Sequence, residues 1–185
     1  MTPRIAPGDR QQVGLLAWAI AQGAGRVGGT TPPNLFLTLG RHRPLFRGWL
    51  RFAGRLMPGG KLPRRETELV ILRVAHLRQC GYEFEHHVRL ARRAGIDHGD
   101  VRHVSTEFDL GAWSPREQAI LCAVDALHHD QDLDTETWDT LRSHLNEREA
   151  IELCLLVGHY EMLATFITTL RIDTDRPRKS TAPLV

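Results

Sequence analysis

Four side chains have the types and the spacing to move a proton. Cys80, Glu83 and His87 stand three and four residues apart in "RQCGYEFEHHVRLARRAG". On one helix that spacing stacks all three along a single face. A thiol, a carboxylate and an imidazole in one row can pass a proton. Cys80 falls where one helix should stop and the next begin. There the free N–H groups and the dipole of the second helix would favour a thiolate. Glu68 lies twelve residues earlier in an apolar helix. Mostly apolar neighbours would raise its pKa and suit it to proton donation or shuttling near neutral pH.

The same residues have plainer explanations. A lone cysteine at a helix junction is commonly a small packing residue. A Glu–His pair four residues apart is commonly a surface contact worth a few tenths of a kcal/mol. Glu85 and His86 should point elsewhere, into solvent. A metal site is not expected. His86-His87 and His128-His129 are adjacent pairs, and neighbours on a helix diverge by about 100°. The H-E-x-x-H pattern is missing, and "CGYEFEHH" lacks the second cysteine of a C-x-x-C knuckle. Cys122 and Cys154 lie in apolar helical runs and are expected in the core.

The elements that must position these groups are helices. Alternating strand patterns bounded by hairpin turns are nearly missing, and helical periodicity is frequent. Val13 to Ala24 reads as a helix stopped by the glycines at 23, 25, 28 and 29. Others should start near Pro33 and at Pro44, with "MPGGKLP" as a loop. Pro63 to Gln79 is apolar on most sides and should be buried. Gly81 interrupts it, and Tyr82 to Ala94 forms the next helix, with Gly95 as C-cap. Further helices are expected around His98–His103, Pro115–His129, Thr135–Leu145 and Glu147–Leu170. The last residues, "DTDRPRKSTAPLV", read as a frayed tail. The expected layout is one helical domain over residues 1–175 and a flexible tail over 176–185.

A faint repeat runs through the chain. Leu62, Arg65, Glu66, Leu72, Val74 and His76 recur as Leu145, Arg148, Glu149, Leu155, Val157 and His159, offset by 83. "SPREQAILCAV" opens in the same way. The Arg-Glu pair falls in a first turn, where a carboxylate suits the helix dipole. Either three buried helices share a start signal, or a two-helix unit has been duplicated.

Composition narrows the function classes. The 185 residues are 42% hydrophobic, which provides for a real interior. A net charge of +2 and only 6% aromatics give no nucleic-acid platform. The basic run from Arg41 to Arg55 is broken by Leu45, Phe46, Trp49, Leu50 and Phe52 and reads as an amphipathic helix. No apolar run is expected to reach the roughly 18 residues of a membrane helix, and "MTPRIAPGDR" has no signal-peptide core. Three dispersed cysteines fit reduced thiols in a cytoplasm.

"LPRRETELVILRVAHLRQCGYEFEHHVRLARRAGI" resembles the core segment of the carboxymuconolactone decarboxylase family, which includes the alkylhydroperoxidase D-like proteins. "WSPREQAILCAVDALHHD" and "LNEREAIELCLLVGHYEML" resemble its C-terminal part. The resemblance covers about Pro33 to Ile172. It implies an all-α, alkylhydroperoxidase D-like helical bundle that assembles as a trimer or hexamer. The alkylhydroperoxidase D branch carries a glutamate, then C-x-x-C, then a histidine four residues on. Glu68, Cys80 and His87 match the glutamate, first cysteine and histidine. Glu83 stands at the second cysteine position, so the usual local disulfide cannot form.

The decarboxylase branch needs no metal or organic cofactor, so the resemblance implies none here. It makes a small carboxylic or lactone-like substrate the first expectation, with Glu68, Cys80, Glu83 and His87 as a proton relay. His87 would be the acid–base, and Arg73 or Arg89 the cation for the substrate carboxylate. The alternative is a thiol peroxidase in which Cys80 attacks and a partner thiol resolves. A non-catalytic oligomeric binding protein is the third reading. Oligomerisation is also expected because the apolar helices are too exposed for a monomer of this size.

Overall fold

The structure is a computed structural model, and it describes residues 2–106 and 113–178. It is all-helical. Ten α-helices follow one another among the described residues: α1 (Arg10–Val13), α2 (Leu15–Gly28), α3 (Asn34–Leu39), α4 (Arg43–Leu56), α5 (Arg64–Leu77), α6 (Gly81–Ala91), α7 (His98–Val104), α8 (Pro115–His129), α9 (Thr135–His144) and α10 (Glu147–Leu170). The chain divides into two compact units, Met1–Leu50 with Leu170–Val185, and Arg51–Thr169.

In the first unit α2 runs past its expected end. Gly25 does not stop the helix, because its missing side chain serves packing instead. A Cβ there would come within 2.7 Å of the Thr31 carbonyl oxygen. The helix ends at Gly29, whose φ of 70° is the left-handed cap that glycine tolerates. The expected frayed tail is pinned over its described part. Asp175 is buried and accepts from the Asn34 backbone N–H at 2.8 Å, and Arg178 N–H donates to the Gly29 carbonyl at 3.0 Å. Residues 179–185 lie outside the described residues.

The second unit holds the candidate site. α5 is buried on nearly every side, from Glu66 through Ala75. Its β-branched Val70, Ile71 and Val74 are tolerated because burial outweighs their weak helix preference. α6 folds back along α5 as the expected hairpin. Leu69 and Leu72 of α5 share a core with Ala91, Ile96, Val104, Trp113 and Leu121. α8 and α7 start on capping boxes, Ser114 with Glu117 and Asp97 with Asp100.

The recurrent Arg-Glu start signal has a structural reason. Arg116, opening α8, donates to Glu66 of α5 at 2.8 Å and to Glu149 of α10 at 2.9 Å. Arg65 of α5 returns the contact, to Glu117 of α8 at 2.8 Å and to Asp100 at 2.8 Å. The starts of three core helices are thus laced by charge-assisted hydrogen bonds.

Two further expectations change. Cys122 and Cys154 are exposed rather than in the core. Their helices are apolar on more sides than the fold covers, so apolar context did not reveal which side faces out. The expectation that no apolar run reaches membrane-helix length is also corrected. Among the described residues, α10 is nevertheless long and apolar enough to cross a membrane by length and composition, and 50% of that window is buried inside the fold.

Candidate functional site

The site grows from the way α5 ends. Gln79 takes a left-handed φ of 50°, and the Cys80 N–H reaches back to the Ala75 carbonyl at 2.8 Å. That closure turns the chain sharply and leaves Cys80 as the N-cap of α6. From there the helical period does what the spacing predicts. Cys80, Glu83 and His87 are 3%, 3% and 5% exposed, so all three share the inward face. Glu68 is fully buried on α5.

The four groups form two pairs. The His87 imidazole Nδ1 lies 2.7 Å from Glu68 Oε2. Arg64, one turn before Glu68, holds the other carboxylate oxygen at 2.6 Å. In this pair the imidazole Nδ1–H donates and the carboxylate accepts. The second pair is Cys80 with Glu83, buried together at the start of α6 and each shifting the other's titration. Neither Glu83 oxygen has a hydrogen-bond partner. No hydrogen bond therefore joins Glu83 to His87, and the row is not continuous.

Electrostatics favour neutral forms here. Burial pushes the Glu83 carboxyl up to about 8, with the Glu161 charge adding to it, while the Cys80 thiol and Arg78 pull down. Burial, then the Glu83 charge, push the Cys80 thiol up to about 12. The helix start does act as expected, since the Tyr82 and Glu83 N–H groups favour the thiolate. Desolvation outweighs them. The expected low-pKa thiol is corrected accordingly.

Cys80 also lines a pocket of about 480 Å³ with Ala75, His76, Leu77, Gln79, Gly81, Phe84 and Ser105. Glu68, Glu83 and His87 do not line it. His86 is half-buried rather than solvated, and burial first, then His87 and Arg89, lower it to about 3. Arg73 is not a free cation. It grips both oxygens of Asp125 at 2.7 Å and donates to the Val104 and Thr106 carbonyls. Arg89 remains the candidate of the two, with its Nε lacking a hydrogen-bond partner.

Sequence reasoning missed Arg64 and Tyr160. Arg64 was readable as the i−4 neighbour of Glu68. Tyr160 was not, because it arrives from α10. Its ring stands edge-on to His87 with centroids 5.2 Å apart. Burial, then the Glu68 and Glu83 charges, hold its hydroxyl well above the ordinary range. Among the described residues, no group of three or more His, Cys, Asp or Glu could hold a metal ion.

Comparison with known proteins bears on the class. Residues 43–126 match the model of the carboxymuconolactone decarboxylase family. No curated protein matches the sequence. Among solved structures, the chain is similar to an alkylhydroperoxidase D core, an uncharacterized peroxidase-related protein from Ralstonia eutropha JMP134. That match has a TM-score of 0.80 at 18% identity, covering 96% of this chain and 93% of the other. A peroxidase-related protein from Silicibacter sp. TM1040 gives 0.79 at 14% identity, covering 94% of each. The debrominase Bmp8, as a cysteine-to-alanine variant in complex with 2,3,4-tribromopyrrole, gives 0.78 at 18% identity, covering 94% and 92%. At these identities the likeness establishes the fold, which is alkylhydroperoxidase D-like.

Proposed function

We propose that the chain is a cofactor-free enzyme of the decarboxylase-like group, acting on a small carboxylic or lactone-like substrate. Glu68, Cys80, Glu83 and His87 move the proton, with His87 as general acid or base. The observation that carries this reading is the burial of Cys80, Glu83 and His87 on one face of α6, with Glu68 against the imidazole. Burial also pushes the Glu83 carboxyl up to about 8, where it can give or take a proton around neutral pH. The Glu68–His87 pair supplies a second, oriented acid–base group.

A second reading rests on Cys80 lining the pocket and on the peroxidase-related neighbours. Glu83 would take the thiol proton, and the thiolate would attack a peroxide oxygen. The sulfur is oxidised to sulfenic acid and the peroxide reduced to an alcohol. With Glu83 at the second cysteine position, a thiol on a partner protein resolves it. We further propose that the protein acts as a homo-oligomer, with the exposed Ile151, Leu155 and Met162 of α10 covered by another copy.

The test is a panel of lactone carboxylic acids and small hydroperoxides offered to wild-type, Cys80→Ser, Glu83→Gln and His87→Ala proteins. Carbon dioxide release that falls in Glu83→Gln and His87→Ala supports the first reading. Peroxide consumption that vanishes in Cys80→Ser alone moves the assignment to the second. If folded protein turns over neither class, the chain is a binding protein.

A further inference from the structure

The pocket beside Cys80 holds another imidazole, and the relay does not use it. His76 stands in the last turn of α5 and lines the same cavity of about 480 Å³ as Cys80. The way α5 ends brings the two together. The Cys80 N–H donates to the Ala75 carbonyl at 2.8 Å, and that oxygen belongs to the peptide unit that enters His76. The Gln79 N–H closes the same turn on the His76 carbonyl at 2.9 Å. Two backbone hydrogen bonds therefore hold the thiol-bearing residue against the turn that carries His76, and both side chains face one space.

His87 is turned to Glu68 and, like Glu83, does not line the pocket. The other lining residues are Ala75, Leu77, Gln79, Gly81, Phe84 and Ser105, none of which titrates near neutral pH. Besides the thiol, His76 is the lining group that can exchange a proton there. The charges that act on it are Arg73, one turn earlier on α5, and Asp125 from α8. Those two are bound to each other at 2.7 Å. Phe84 from α6 and Ser105, the C-cap of α7, face the pocket without charge. Burial, then Arg73, lower His76 below its ordinary value, so at pH 7 the ring is a free base.

We propose that His76 is the acid–base group on the pocket side of Cys80, taking the thiol proton and returning it to the leaving oxygen of a small hydroperoxide. This rests on the thiol reading above and deepens it. The imidazole accepts the S–H proton as sulfur attacks the terminal peroxide oxygen. The S–O bond forms, the O–O bond breaks, and the sulfur becomes sulfenic acid. The departing alkoxide takes the proton from the imidazolium and leaves as the alcohol. The peroxide is thus reduced by the two electrons that sulfur loses. Glu83 is a base only once ionised, which burial delays to about 8. His76 covers the range below.

The experiment adds tert-butyl hydroperoxide to full-length protein and follows trapped sulfenic acid at Cys80 by mass spectrometry. The exposed Cys122 and Cys154 are the reference thiols in the same sample. His76→Ala should slow Cys80 oxidation by about 100-fold and leave the reference thiols unchanged. Added imidazole should restore part of the lost rate, which a merely structural role would not allow. His76→Gln should be equally slow. Unlike wild type, it should speed up from pH 6.5 toward 8 as Glu83 ionises. A wild-type rate in His76→Ala overturns the role, as does a slow His76→Ala that imidazole leaves unchanged. If His76→Ala does not fold, the pH series on His76→Gln decides, and a profile parallel to wild type overturns the role. Wild-type Cys80 oxidised no faster than Cys122 would instead remove the thiol reading itself.

Discussion

The Arg51–Thr169 unit contains two clusters of ionisable groups, and they are built on opposite principles. Where α5, α8 and α10 begin, Arg65 and Arg116 each meet two carboxylates, and every shift favours charge. The guanidinium groups are raised by hydrogen bonds to Asp100 and Glu66. Glu117, Asp100 and Glu149 titrate below their ordinary values despite desolvation. Where α5 ends and α6 begins, burial drives groups toward neutrality: Glu83 up to about 8, Cys80 up to about 12 and His86 down to about 3. A satisfied charge holds helices together. An unsatisfied one is poised to exchange a proton.

The comparison can be broken by exchanging one residue at either end. The largest expected effect is on chemistry: Glu83→Gln or His87→Ala should lower turnover by about 100-fold or more once a substrate is found. Urea unfolding of Glu83→Gln should show no comparable loss of stability. Arg116→Ala should do the reverse. It strands Glu66 and Glu149, and we expect a loss of about 2 kcal/mol by urea unfolding.

A pH series separates the two ends by sign. The folded pKa of Glu83 is raised from 4.5 to about 8. Its stabilising contribution is thus fully present below about 4.5 and lost as pH rises toward 8. Glu83→Gln should flatten that decline. Glu117 and Asp100 are lowered, so their contribution is present above their unfolded values and lost as pH falls through their folded ones. Leu155→Glu should shift the mass seen by light scattering toward monomer, a smaller change that reads only the α10 face. Cys122→Ser, at an exposed position, should change stability by less than about 0.5 kcal/mol.

Much of this was legible in the sequence, for identifiable reasons. α8 and α10 begin and end where capping and periodicity place them, because Ser114, Pro115 and Glu117 write the start of α8 chemically. The shared inward face of Cys80, Glu83 and His87 followed from helical period alone. What failed depended on contacts far along the chain. Gly25 looks like a stop but serves a neighbouring backbone. Arg73 looks like a free cation until Asp125 arrives from α8. Cys122 and Cys154 share apolar neighbours with the core, and only the packing of their helices shows that they face out. The direction of the Cys80 shift required weighing helix-start N–H groups against desolvation, and only burial in three dimensions supplies the second quantity.

The pocket wall has one more consequence. Cys80 is the one residue of the four that lines it, so a molecule seated there meets Cys80 and the neighbouring His76, Gln79 and Ser105 rather than either acid. A bulky alkyl group attached to Cys80 would act as a plug, sealing the carboxyl and imidazole behind it while leaving their own hydrogen bond intact.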